Sequence, residues 1–211
     1  AEGTPAQRTI WETVKHHFAV SACILQKDAR IGKIIGFYSV VFAAHTLLFF
    51  YSQQYFADFG YNKVQISVIM LLVGGASCLG ALASAKMYRR FGKRCLIPET
   101  VIIAAAILCY GSEKAGVAAA ALMCAGFANA ALYPVQSDSL NALIPSEQRA
   151  TLISVDSMCF SIAMIVLFPL AGAFADRWGL KTVLLLLGAI LLLFLLTVFC
   201  IEKESFSSDH S

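Results

Sequence analysis

Charge is scarce in this sequence: Asp, Glu, Lys and Arg make up 14% of its 211 residues, where soluble proteins carry roughly 25%. The 16 basic and 13 acidic residues leave a net charge of only +3, too slight for a polyanionic partner, so no nucleic acid is expected. Cysteine motifs are missing too. The seven cysteines (23, 78, 95, 109, 124, 159 and 200) form no C-x-x-C pair, and five fall inside apolar runs, which excludes a disulfide scaffold and a zinc site. There is no G-x-S-x-G turn, no H-E-x-x-H helix, no Walker phosphate loop and no cluster of paired aspartates. An intramembrane hydrolase or a metal-dependent transferase would need one of these, so no catalytic residue, cofactor or metal is expected. The opening Ala1 to Arg8 is not basic and leads into no unbroken apolar run, so no signal peptide is expected; the sequence reads as part of a longer chain.

What remains is apolar. Hydrophobic residues make up 59% of the chain and mean hydropathy is +0.74, more apolar surface than a fold of this size can hide from water. Lipid is the natural solvent. A hydrocarbon core ~30 Å thick takes about 20 helical residues, and six segments qualify: Ile34 to Ala57, Val64 to Ala85, Leu96 to Ser112, Gly116 to Leu143, Ala150 to Ala175 and Thr182 to Ile201. The third is the shortest. None shows the period-two alternation of barrel strands, so backbone groups must be satisfied within each segment. The expected fold is all-α, a polytopic membrane protein with six transmembrane helices.

Basic residues orient the spans. Lys27, Arg30, Lys33, Lys86, Arg89, Arg90, Lys93, Arg94, Arg149 and Lys203 gather on one side; Lys63, Lys114, Arg177 and Lys181 lie on the other. The richer side is expected to be cytoplasmic, with both termini there, in a multi-pass protein of the cell membrane. Residues 1–33 form a cytoplasmic linker, 34–201 the bundle and 202–211 a cytoplasmic tail. Within the linker, Thr9 and Glu12 make a capping box ahead of Ile10, Trp11, Val14 and Phe18 on one helical face, as in an amphipathic helix; a mobile linker is the plainer alternative.

Small residues recur at Ala76, Gly80 and Ser84, beside Gly74 and Gly75, a spacing that lets a neighbouring helix approach closely. Ser154, Ser157 and Ser161 share a stripe that serves either such packing or a polar cavity. Ionisable residues at membrane depth are costly and therefore informative. His45 stands 11 residues into the first span, roughly 16 Å from its start, near the midplane. It shares a face with Tyr38, Phe42, Phe49 and Gln53, and either lines an aromatic, titratable cavity wall or donates one hydrogen bond across a helix interface. Asn129, Tyr133 and Gln136 flank Pro134, which frees a backbone carbonyl, and make a second candidate wall. Asp138 and Arg149 flank the connection through Ile144, Pro145, Ser146 and Glu147 and are expected to pair across it. Asp156, two turns beyond Arg149, joins that network or carries a proton. Glu99 is expected to complement the N-terminus of the third helix.

Three stretches carry a family resemblance. Asn141-x-x-Ile144-Pro145-Ser146-x-x-Arg149-Ala150-Thr151-x-x-Ser154 is similar to the inner hairpin between the fourth and fifth helices of a major facilitator half. Arg90-Phe91-Gly92-Lys93-Arg94 is similar to the basic end of that family's loop motif G-x-x-x-D-R-x-G-[RK]-[RK], although Arg89 replaces the acid and Ala85 the first glycine. Gly172-x-x-x-Asp176-Arg177-x-Gly179-x-Lys181 fits the same motif after the fifth span. The chain thus resembles the C-terminal six-helix half of a major facilitator superfamily transporter, close to bacterial drug/proton antiporters. The resemblance implies a missing N-terminal half of the same polypeptide, a small-molecule substrate near the midplane, and alternating access by rocking. It also implies that the first and fourth helices of this half line the cavity, which singles out Tyr38, His45, Phe49, Gln53, Asn129, Tyr133 and Gln136. Coupling or gating would fall to His45, Asp138, Arg149 and Asp156, with Arg90, Gly92, Lys93 and Arg94 as the loop motif and protons as the coupling ion in efflux. Uniport, symport and antiport are not separable from the sequence, and a non-transporting helper subunit is the rival reading.

Overall fold

The computed structural model describes residues 29–92, 96–142 and 149–208. These form six helices: α1 (Ala29–Asp58), α2 (Lys63–Phe91), α3 (Leu96–Cys109, continued by a 3-10 turn at Tyr110–Ser112), α4 (Ala115–Asn141), α5 (Arg149–Trp178) and α6 (Leu180–Ser208). Five are long and apolar enough to cross a membrane; α3 is the shorter sixth. With its 3-10 turn α3 reaches about 27 Å, just under a full hydrocarbon core. The amphipathic stretch expected before residue 29, the hairpin 143–148, Lys93 and Arg94 lie outside the described residues.

Local chemistry sets the helix ends. Asn62 caps α2 by accepting from the Gln65 backbone while the Gln65 side chain accepts from the Asn62 backbone, a reciprocal arrangement that satisfies two otherwise orphaned donors. The α5–α6 connection is the single residue Gly179, whose φ of 83° suits a residue without Cβ. Residues 202–208, expected in the cytoplasmic tail, are helical and continue α6; no glycine or proline interrupts the chain between Gly188 and Ser208, so nothing stops helix propagation.

Such short links fold consecutive helices back on one another, so the bundle has two ends, one marked by Gly92 and the other by Gly179. α1 touches all five other helices, α2 lies along α4, and α3 is held between α4 and α6. The main core draws its buried residues from α1, α3 with its 3-10 turn, α4 and α6, plus Val73 of α2. Two smaller clusters attach α5: Leu152 and Val155 with Ile31, Ile35 and Leu140, and Ala171 with Leu47 and Val183.

Candidate substrate-facing wall

α1 from Ile34 to Ala57 and α4 from Ala115 to Ser137 contain no Asp, Glu, Lys or Arg, so the two helices can meet at membrane depth without burying a fixed charge. They run antiparallel and touch where the Phe42 and Tyr133 rings lie 6.0 Å apart. Tyr133 is 64% exposed and Phe42 half-buried, which makes this pair the open edge of the contact. About one turn toward the Gly179 end, His45 on α1 and Asn129 on α4 reach the same level. His45 Nε2 and Asn129 Oδ1 are both buried without a hydrogen-bond partner, although buried polar atoms are normally paired. Farther along α1, Phe49 meets Phe50 edge-on at 5.7 Å, Phe50 meets Phe168 of α5 at 5.6 Å, and Gln53 is exposed.

The sequence candidates therefore divide. Gln53 and Tyr133 are exposed, and His45, Phe49 and Asn129 are half-buried along the wall. Tyr38, 2% exposed, lies in the main core instead of on an open face; it sits one turn before Phe42 and its ring packs at 5.7 Å against that of Phe42. Gln136 is also buried, at 3% exposure, and its Nε2 donates to Asp156 Oδ1 at 2.8 Å. Asp156 thus pairs with an amide on α4, not with Arg149. Asp138 and Arg149 are both exposed, and no ion pair joins them; the expected clasp fails because each side chain has solvent to turn to. Ser154 donates to the Ala150 carbonyl and Ser161 to the Ser157 carbonyl, so both serve their own helix. Glu99 occupies the first turn of α3 as expected, yet it is 2% exposed and neither carboxylate oxygen has a hydrogen-bond partner. In the loop motif, the Gly92 N–H donates to the Tyr88 carbonyl and closes α2, and the Arg90 guanidinium lies 5.7 Å from the centre of the Phe91 ring.

Sequence reasoning missed Phe50, half exposed and linked to α5. It stands in the apolar run Leu47 to Tyr51, where no polar residue marks a face. It also missed the polar network at the Gly179 end. There Ser52 Oγ and Tyr110 OH lie 2.6 Å apart, Ser52 donates to the Leu48 carbonyl, and Tyr55 OH donates to the Tyr110 carbonyl at 3.3 Å. On the surface of that end Lys181 pairs with Glu113, and the ammonium holds the Glu113 carboxyl below its usual range. Among the described residues no group of His, Cys, Asp and Glu could hold a metal ion.

This geometry, a six-helix bundle with a charge-free aromatic and amide wall on its first and fourth helices, agrees with a comparison of the whole sequence with family profiles. The profile of the Major Facilitator Superfamily matches residues 34–209. The chain belongs to that family. Membership implies a membrane transporter, and members of the superfamily are generally not enzymes. Comparison with the curated proteins and with the solved structures gave no match.

Proposed function

We propose that the chain is the C-terminal half of a secondary active transporter that moves a small organic solute by alternating access between two six-helix halves. The observation that carries this reading is the wall itself: exposed Tyr133 and Gln53 beside half-buried His45, Phe49 and Asn129, with two buried polar atoms lacking partners. The exposed ring of Tyr133 and the exposed amide of Gln53 suit a partly aromatic solute with hydrogen-bonding groups. His45 is the titratable group of the wall and serves proton coupling in the efflux direction, with Asp156 as the second titratable group, nearer the Gly92 end. Both termini face the cytoplasm, as the excess of Lys and Arg on the Gly92 side favours.

Flux through sealed vesicles containing the complete gene product tests this reading. Solute movement driven by a proton gradient is expected, with His45→Ala abolishing the dependence on the gradient and Asn129→Ala weakening solute selection about tenfold. An unchanged pH response in His45→Ala would remove the residue from coupling. Vesicles that move no solute would favour a non-transporting role.

A further inference from the structure

Glu99 is an acid that this bundle buries by itself. It stands in the first turn of α3, where Ile97, Pro98, Val101 and Ile102 are exposed. Glu99 is 2% exposed and opens a buried stripe that continues through Ile103, Ala106 and Tyr110, a spacing that keeps all four on one helical face. The far end of the stripe meets α1, where Tyr110 OH lies 2.6 Å from Ser52 Oγ. Helices α4, α6 and α1 pack against α3, so no further chain is needed to shut Glu99 away from water.

Among the described residues nothing charged answers it. Neither carboxylate oxygen has a hydrogen-bond partner. On α4 the titratable residues are Cys124, Tyr133 and Asp138, all exposed. On α6 only Cys200 stands between Lys181 and Glu202, with Glu202, Lys203 and Glu204 in the last two turns. On α1 Lys33 is exposed, Tyr38 is buried in the main core and His45 is half-buried, while Tyr51, Tyr55 and Asp58 lie toward the Gly179 end. On α3 itself Cys109 and Tyr110 are ten or more residues away.

Magnitudes decide the state of the acid. A helix N-terminus favours a carboxylate by a factor of about 5 in equilibrium, ~30 at best. An ion taken from water into a protein interior without a counter-charge loses roughly a thousandfold or more. The dipole is therefore too weak to hold a charge at this place. A residue serving only to complement the helix end could do so from the exposed position 97 or 98.

We infer that Glu99 is a proton-binding site: its carboxyl holds a proton while the first turn of α3 is packed against α1, α4 and α6, and gives it up when that packing opens to water at the Gly92 end. Proton and packing are then linked in both directions. The site lies about 5 Å along the axis from the start of α3, so displacing one turn exposes it while the rest of the core stays closed. Use of this proton in solute movement rests on the transporter reading. The linkage itself does not.

Thermal unfolding of the complete gene product in detergent, followed from about pH 4 to about pH 9 beside Glu99→Gln, tests the site. Glutamine keeps the shape of the neutral acid and cannot ionise. A packed state that keeps a proton which the unfolded chain has released loses stability as pH rises. The two proteins should therefore differ by a constant at and below about pH 4, the ordinary carboxylate range. Above it the parent should fall behind the variant, by up to about tenfold in the folding equilibrium per pH unit. Glu99→Met, apolar and similar in length, should follow glutamine and replaces it if that variant folds poorly. A difference that does not change with pH overturns the proposal, because Glu99 would then carry the same charge packed and unpacked. A parent that gains on the variants as pH rises also overturns it, because the ionised carboxylate would then be paired in the fold. Vesicles of the parent that move no solute count against the transporter reading and leave the melting comparison as it stands.

Discussion

α2 and α5 are both long, apolar and sparsely buried, yet they are held in opposite ways. α2 lies on α4 along Val73, Ser77, Gly80 and Ser84, and backbone meets backbone there: a Cβ on Gly80 would fall 2.1 Å from the Phe127 carbonyl oxygen, and one on Gly126 would fall 2.8 Å from Ser77 Oγ. Ser84 adds a hydrogen bond to the Ala131 carbonyl at 2.7 Å. α5 has no comparable seam, only two small clusters and two polar joints, Gln136 to Asp156 and the Tyr51 hydroxyl to the Phe168 carbonyl. In lipid there is no hydrophobic drive between helices, so close approach over a continuous line is what makes an attachment rigid. The contrast separates a helix held backbone to backbone from one held by side chains.

The sharpest way to break the comparison uses a single substitution at two places on α2. Gly80→Ala forces the methyl into the Phe127 carbonyl, and since neither backbone can yield without separating the helices, the expected loss is about 3 kcal/mol or more. Gly74→Ala meets nothing within 4 Å and should change stability by less than about 0.5 kcal/mol. Thermal unfolding in detergent measures both. Similar losses at the two positions would mean that the α2–α4 seam is not where α2 is held.

A smaller effect separates the two kinds of joint. Ser84→Ala and Tyr51→Phe each delete one interhelical hydroxyl-to-carbonyl bond, worth about 0.6–1 kcal/mol inside a membrane bundle. The losses in stability should be alike, because each variant keeps the packing beside the lost bond: Ser84→Ala leaves the Gly80–Phe127 approach, and Tyr51→Phe leaves the ring stacked on Phe168. Thermal unfolding reads both, and a loss at either position well above this range would mean that the hydroxyl, not the packing beside it, holds that helix.

How far this was legible in the sequence depends on the signal each part leaves. The spans were readable because a run of apolar residues long enough to cross lipid has no other use. The period of four at Ala76, Gly80 and Ser84 pointed to the correct helix and to two of its contact positions; Gly74 and Gly75, grouped with them, face open space. Position along a helix is readable from rise per residue alone. Direction around the helix was not. A helix with leucine and phenylalanine toward both lipid and core carries no polar stripe to mark its outside, so Tyr38 and Gln136 were assigned to an open wall although both are buried, and Phe50 was overlooked. That α5 adds no residue to the main core left no trace in the sequence either; only the three-dimensional clusters reveal it. The Asp138–Arg149 pair was inferred from sequence proximity across a turn, which sets distance but not the gain from pairing in solvent.

The weakest link at the Gly179 end tests the lower limit of such joints. Lys181 reaches across from the start of α6 to Glu113 in the α3–α4 connection, and both side chains are exposed. Hydrogen bonding and the nearby ammonium lower the Glu113 carboxyl below its ordinary value. A group depressed in the folded state contributes stability that is complete above its unfolded value and disappears as pH falls through its folded one. The difference between the parent and Lys181→Gln should therefore be small and constant near neutrality, shrink as pH falls below about 4, and shrink also as salt rises, since exposed pairs are screened. Thermal unfolding of both proteins across pH and salt reads this directly. A difference that survives in acid or grows with salt would place the Lys181 effect in packing of its alkyl stem against the α3–α4 connection.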